Sequence, residues 1–159
     1  MSAKRDCGPC SACCTSLGVP EIHKPAGQKC QQVKAGGGCE GYSQRPSACR
    51  AYKCQWLLGN FARTDRPDLL GVSLDKTEGI RPDMFPGDGW AYIAREAVPG
   101  GFELAKSLLT ELAHTNVVIL IVEVQGKRVV LGPPEKVAKV NEAIQWYQAQ
   151  ARRFLPVQG

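Results

Sequence analysis

The sequence predicts an α+β fold in which a loop-rich cysteine cluster region packs on a small, mainly antiparallel sheet with two or more helices. Three observations lead to this prediction. The β-branched run 117–124 is typical of a buried central strand, and residues 128–131 follow it after a short turn, as in a hairpin. Apolar residues recur at helical spacing in 102–114 and again from residue 134 onward. All eight cysteines lie before residue 55, in a segment rich in glycine and proline.

The chain has 159 residues and 43% apolar content, which suits one compact domain with a buried core. Within it we distinguish a cysteine-cluster metal-binding region, residues 1–58, from an α+β supporting region, residues 59–159. The longest apolar run, 117–122, is too short to cross a bilayer. The first residues lack the apolar stretch of a signal peptide. We therefore expect a cytoplasmic protein with no membrane partner.

Two short helices are expected among the cysteines. The first carries the Cys13-Cys14 pair. The second begins after Pro46, with Ser47 as its N-terminal cap, and runs through Cys54. Cys49 and Cys54 would lie about 140° apart around a regular helix. Both can therefore reach one site only if the chain bends between them.

The supporting region is expected to add two more strands, at 68–74 and 90–94. The helix at 102–114 is predicted to turn four leucines toward the core: Leu104, Leu108, Leu109 and Leu112. The last helix is predicted to begin at Pro134 and to end near Phe154. Its predicted apolar face consists of Val137, Val140, Ala143, Ile144 and Tyr147.

Four thiols lie within eight residues, in the run Cys7-Gly8-Pro9-Cys10-Ser11-Ala12-Cys13-Cys14. Adjacent cysteines can form a disulfide only with strain, and neighbouring thiolates repel one another. A metal resolves both difficulties because it binds thiolates and neutralises part of their charge. In a reducing compartment, this composition favours metal ligation over disulfides. The predicted ligands are the eight cysteines: Cys7, Cys10, Cys13, Cys14, Cys30, Cys39, Cys49 and Cys54.

Iron and zinc are both compatible with the spacing. Cys7-x2-Cys10-x2-Cys13 could supply three ligands of a 4Fe-4S iron-sulfur cluster, with a fourth cysteine from elsewhere. Zinc usually takes ligands from two C-x2-C knuckles, and no second knuckle lies outside this run. The sequence leaves open whether the metal is zinc or an iron-sulfur cluster. It also leaves open whether there is one site with spare thiols or two full sites.

The formal charge of +5 lies entirely in the cysteine half, where residues 1–54 carry 8 basic and 3 acidic side chains. We interpret this charge as compensation for metal-bound thiolates. A nucleic-acid surface is less favoured because aromatic and basic residues do not interleave. Arg45 and Arg50 are candidate cofactor-binding residues. They could donate to cluster sulfurs or to a phosphate, or they could anchor loops to carbonyl groups.

The cysteine region resembles the YkgJ-like cysteine-cluster family, also called the CxxCxxCC domain, which is described as zinc- or iron-chelating. The resemblance covers about the first third of the chain. It rests on four segments in order: residues 7–14, Lys29-Cys30, residues 37–42 and residues 45–54. It implies metal or cluster binding in the bacterial cytoplasm.

The sequence therefore predicts a metal-binding protein that holds an iron-sulfur cluster or zinc through clustered cysteines, with a redox or regulatory role. Two alternatives stay open. One is a zinc-stabilised adaptor that binds nucleic acid or protein. The other is a cluster-dependent enzyme of unknown substrate. No residue is assigned a catalytic role, and a protein partner is left open.

Overall fold

The computed structural model describes residues 5–77, 91–115, 119–122 and 128–154. Five α-helices are present in this part of the chain: α1 Ala12–Ser16, α2 Ser47–Ala51, α3 Pro67–Leu70, α4 Gly101–His114 and α5 Pro134–Phe154. Four strands accompany them: β1 Val72–Thr77, β2 Ala91–Glu96, β3 Ile119–Val122 and β4 Arg128–Leu131. The predicted α+β class is confirmed.

The four strands form one sheet in the order β1-β2-β3-β4. β1 and β2 are antiparallel, with Val72 opposite Glu96. β2 and β3 are parallel and are connected through α4, since parallel neighbours need a crossover. β3 and β4 are antiparallel, with Ile119 opposite Leu131, as the hairpin pattern predicted. Two of the three pairings are thus antiparallel, and β3 lies between two other strands.

The main core lies where α4 packs on β1 and β2. It consists of Val72, Leu74, Ala94, Ala105 and Leu109. Two of these residues are alanines, and their small side chains let the helix approach the sheet closely. One apolar face of an amphipathic helix is thereby removed from water, which is the main source of its stability.

The predicted inward face of α4 needs one correction. Leu104 is 67% exposed, whereas Ala105 is fully buried. The buried positions run Gly101, Ala105 and Leu109, at a spacing of four. The first turn of α4 lies directly against the backbone of Gly71. This close contact turns residues 101 and 105 inward and leaves Leu104 outside.

The final helix, α5, covers a second cluster beneath the sheet. Val140 is 1% exposed and packs with Ala91, and Ile144 packs against the same pair. Both residues belong to the predicted apolar face, while the side chain of Tyr147 lies outside the described part. Within the described ranges, no helix combines the length and the apolar character needed to cross a membrane.

The predicted strand at 68–74 is wrong in its first half. Residues Pro67–Leu70 form the helical turn α3, and β1 begins only at Val72. Proline suits the first position of a helix, and Asp68 in the first turn favours its positive end. Gly71, with φ of 85°, ends the turn in the left-handed region.

Two other predicted strands are displaced or only partly described. The strand predicted at 90–94 is found at Ala91–Glu96, and Trp90 lies outside the described residues. The strand predicted at 117–124 is found at Ile119–Val122. The remaining residues of that run, and the turn after it, lie outside the described part.

The helix predicted from Pro46 through Cys54 is shorter than expected. α2 ends at Ala51, and Tyr52 is extended with ψ of 131°. Ser47 is the first helical residue rather than the cap. Its backbone N–H donates to the Glu21 carboxylate at 2.7 Å, so a side chain 26 residues away satisfies the helix start.

Candidate metal centre

The first cysteine run forms a turn followed by a helix. The N–H of Cys10 donates to the carbonyl of Cys7 at 2.8 Å, which closes the Cys-Gly-Pro-Cys turn. α1 begins two residues later and carries Cys13 and Cys14 in its first turns, as predicted. Four sulfurs are thereby attached to one compact stretch of backbone.

A glycine loop packs against this turn. Gly37 has φ of 91°, and a Cβ built on it would overlap the carbonyl oxygen of Pro9. The next residue, Gly38, would bring a Cβ to 3.3 Å from the carbonyl oxygen of Gly8. The backbone of Gly37 and Gly38 therefore packs directly against the backbone of the first turn. Cys39, which follows directly, is held beside the Cys-Gly-Pro-Cys turn.

Two further backbone contacts position the middle cysteines, one to α1 and one within the segment 30–39. The N–H of Cys30 donates to the carbonyl of Cys14 at 2.9 Å. Val33 and Cys39 then form an isolated antiparallel β-bridge. The segment from 30 to 39 therefore folds back over the first cysteine run.

Five cysteines line one small cavity of about 30 Å³: Cys7, Cys10, Cys13, Cys49 and Cys54. They come from three segments of the chain, namely the first cysteine run at residues 7–14, α2, and the segment after α2. Trp56, Pro67 and Ser73 also line it, so α3 and β1 form part of its wall. The bend required between Cys49 and Cys54 is present, because α2 ends at Ala51.

Each of the eight cysteines is a partly exposed free thiol. Across the described ranges, no three or more Cys, His, Asp or Glu side chains are grouped as they would be around one metal ion. The structure thus brings five sulfurs to one cavity without bringing them to coordination distance. Rotation about the Cα–Cβ bond moves a sulfur between staggered positions, so the backbone does not fix these separations.

Neighbouring thiols polarise one another strongly at α1. The Cys13 thiol donates a hydrogen bond to the sulfur of Cys14, which lowers the pKa of Cys14 to about 7 and raises that of Cys13. The charges of Lys24 and Arg45 lower the Cys14 pKa further. Burial raises the pKa of Cys10 to about 11. Cys14 is therefore the thiol of the Cys13-Cys14 pair that loses its proton more readily.

A buried cation, Lys24, lies close to the sulfurs. Lys24 is only 9% exposed, and its ammonium donates to the carbonyls of Leu17, Thr15 and Pro25. Burial lowers the Lys24 pKa, and the nearby sulfurs of Cys30 and Cys14 oppose this. Sequence analysis predicts only a general positive charge in this region, because the burial of one lysine depends on long-range packing.

Arg45 and Arg50 have different surroundings. Arg45 lines the cysteine cavity and stacks on Tyr42, with its guanidinium carbon 3.7 Å from the ring centroid. Its charge opposes the effect of burial, which raises the Cys7 pKa. Arg50 donates to the carbonyl of Arg45 at 2.7 Å and so anchors a loop. Both of them stay candidate cofactor-binding residues.

Asp68 is a neighbour of the cavity that the sequence reasoning missed. Its carboxylate accepts a hydrogen bond from the Cys10 thiol and forms a two-point ion pair with Arg66, at 2.6 and 2.9 Å. Asp68 reaches Cys10 because α3, which lies more than 50 residues further along the chain, packs beside the turn at residues 7–10. Nothing in the local pattern of residues 66–68 signals this contact.

A partly buried polar network ties the cysteine region to the sheet. The Tyr52 hydroxyl donates to Asp75 on β1, and Arg95 on β2 pairs with the other carboxylate oxygen. Burial raises the pKa of Tyr52, so the hydroxyl keeps its proton and acts as the donor. The hydroxyls of Ser16 and Ser73 are hydrogen-bonded nearby at 3.3 Å.

Replacing Tyr52 by phenylalanine should lower the free energy of unfolding by about 1–3 kcal/mol, because the partly buried Asp75 carboxylate loses a hydrogen-bond donor. Urea denaturation at neutral pH would measure the change. Tyr42→Phe is the matched control, since that ring is half exposed. Equal stabilities for the two variants would show that the Tyr52 hydroxyl contributes nothing.

Comparison with known proteins adds no relative to this description. No family model, curated protein or solved structure matches the chain significantly.

Proposed function

We propose that the protein binds metal through two sets of four cysteine thiolates. The observation that carries the proposal is the cavity onto which five cysteines from three segments converge. Thiols crowded in this way gain most when a metal takes their negative charge. The resemblance of the first third of the chain to zinc- and iron-chelating cysteine-cluster proteins supports the same function.

The first set consists of Cys7, Cys10, Cys13 and Cys54. All four line the small cavity. The charges of Cys7 and Cys10 contribute to the raised pKa of Cys13, after its hydrogen bond to Cys14 and its burial. Cys7 contributes likewise to the raised pKa of Cys54, mainly caused by burial. Such effects require short separations.

The second set consists of Cys14, Cys30, Cys39 and Cys49. Burial raises the pKa of Cys49, and the charges of Cys14, Cys30 and Cys39 raise it further. The backbone hydrogen bond between Cys30 and Cys14 fixes one side of this set. Cys49 also lines the small cavity, so the two sets adjoin at α2 as well as at the Cys13-Cys14 pair.

Zinc is the metal that the cavity favours. A volume of about 30 Å³ has room for roughly two water-sized particles. One zinc ion with sulfurs at about 2.3 Å fits such a space by small side-chain rotations. A four-iron cluster is the second candidate. It is favoured by the C-x2-C-x2-C spacing, but it needs room for eight inorganic atoms and a wider separation of the cysteines.

The surrounding charge agrees with thiolate ligation. Four thiolates on one zinc leave a formal charge of about −2. Lys24 and Arg45 both act electrostatically on these sulfurs. Complete ligation by four cysteines leaves no open position on the metal, so we favour a structural or regulatory role over catalysis. Reduced thiols also suit a cytoplasmic location.

Single serine variants test the two-set assignment. Cys13→Ser should remove about one equivalent of metal and Cys30→Ser about one other equivalent, with the double variant losing both. Metal content would be measured by mass spectrometry on protein purified without air. Ser43→Ala, an exposed change in the same region, should keep full loading. Loss of both equivalents from either single variant would contradict two separate sets.

A further inference from the structure

A second, larger cavity adjoins the cysteine cavity. Its volume is about 580 Å³, within the range of roughly 300–1,000 Å³ that is typical of small-molecule sites. Cys7, Arg45 and Tyr52 line both cavities, so the two share a wall. The larger space lies beside the candidate metal centre and opens to solvent.

Positive charge dominates the lining of this larger cavity. Arg5, Arg45, Arg50 and Lys53 contribute to it, against the single carboxylate of Asp6. Among the described residues, none of these four cations forms an ion pair. Arg5, Arg45 and Arg50 are instead held by carbonyl oxygens, which orient the guanidinium groups without neutralising them.

Two carboxylates lie near these cations, and neither forms an ion pair with them in the described part of the chain. Glu21 is close enough to Arg50 to feel its charge, but its carboxylate accepts from Ser47. Asp6 is next in sequence to Cys7 and raises the pKa of that thiol, so it faces the sulfurs as well as the cavity. Among the side chains that line the cavity, the cations outnumber the carboxylates, and this excess of positive charge favours an anion.

Apolar surface completes the lining. Tyr42 is 50% exposed and Leu58 is 53% exposed, and both contribute to the same cavity. Exposed aromatic and aliphatic groups beside several cations suit a ligand with an apolar part and a charged part. Guanidinium groups match the oxygen pairs of a phosphate especially well.

We propose that this cavity binds a small organic phosphate, with Arg45, Arg50 and Lys53 around the phosphate group and Tyr42 and Leu58 against the apolar part. The bound molecule lies beside Cys7. The proposal goes beyond metal binding and does not depend on it, because backbone carbonyl groups hold the guanidinium groups of Arg45 and Arg50.

Calorimetric titration of the purified, metal-loaded protein with phenyl phosphate at low ionic strength tests the proposal. We expect saturable binding of one molecule per chain. The double variant Arg50→Gln/Lys53→Gln should bind at least about tenfold more weakly, and Lys106→Gln, an exposed change on α4, should bind as the parent does. Raising the salt to about 150 mM should also weaken binding, because exposed charges are screened over about 8 Å.

Any one of four results would overturn the assignment. Absence of saturable binding at millimolar phenyl phosphate, or unchanged binding by the double variant, would exclude the site. If inorganic phosphate bound as tightly as phenyl phosphate, Tyr42 and Leu58 would contribute nothing to binding. Phthalate has a ring and two carboxylates. If it bound as tightly as phenyl phosphate, the cavity would not prefer a phosphate group. Metal content measured on the same samples separates these outcomes from a failure of metal binding.

Discussion

Replacing Gly37 by alanine should lower metal affinity at least about tenfold while the sheet stays folded. The added Cβ would overlap the carbonyl oxygen of Pro9, and the φ of 91° is itself unfavourable for alanine. A left-handed conformation costs a non-glycine residue about 1–2 kcal/mol, and about 1.4 kcal/mol corresponds to a tenfold change in affinity. The loop must move away from the Cys-Gly-Pro-Cys turn, and Cys39 moves with it.

The neighbouring glycine provides the control. A Cβ on Gly36 meets nothing within 4 Å, so Gly36→Ala should leave metal affinity unchanged. Competition with a chromophoric chelator would measure both variants against the parent. Equal metal affinities for Gly37→Ala and Gly36→Ala would show that the packing of this loop on the first turn does not shape the metal centre.

Replacing Gly101 by alanine should lower the free energy of unfolding by about 1–3 kcal/mol, the usual range for overpacking. A Cβ there would overlap the carbonyl oxygen of Gly71, which also accepts a hydrogen bond from the N–H of Ala97 at 2.9 Å. The start of α4 must therefore shift away from α3 and β2. Alanine's better helix propensity offsets only part of this cost.

Ser107→Ala tests helix propensity on α4 without the steric overlap, because Ser107 is exposed. Its stability should lie within about 0.5 kcal/mol of the parent. Thermal denaturation followed by circular dichroism would compare the two variants. Gly101→Ala should keep its metal at temperatures where it is folded, unlike Gly37→Ala. A stability equal to that of Ser107→Ala would contradict the close approach of α3 and α4.

The parts of the fold that the sequence predicted are those with strong local signals. α4 and α5 were expected within one or two residues, because their apolar residues repeat over several turns. The hairpin of β3 and β4 followed from a β-branched run and a turn. Helix α1 was expected at the Cys13-Cys14 pair. In each case neighbouring residues in the chain carry the information.

The errors arise where distant residues decide the outcome. α2 ends early because Tyr52 reaches Asp75 on β1. Leu104 is exposed because Gly101 lies against Gly71. These long-range contacts have no counterpart in the spacing of apolar residues.

The candidate site shows the same division between local and long-range information. The clustering of thiols was visible in the sequence, and so was the need for a bend between Cys49 and Cys54. The burial of Lys24 and the contact of Asp68 with Cys10 depend on loops that pack together from far apart. The proposed grouping of the eight cysteines into two sets likewise rests on contacts that only the fold provides.

The most direct test is the metal content of the unmodified protein, purified without air and measured together with its visible absorption spectrum. We expect two equivalents of zinc per chain and no absorption band at wavelengths longer than those at which the protein's aromatic side chains absorb. About four irons per chain together with a broad visible absorption band would show that the protein holds a four-iron cluster instead of zinc. A folded protein that holds neither metal in stoichiometric amount would contradict the proposed function.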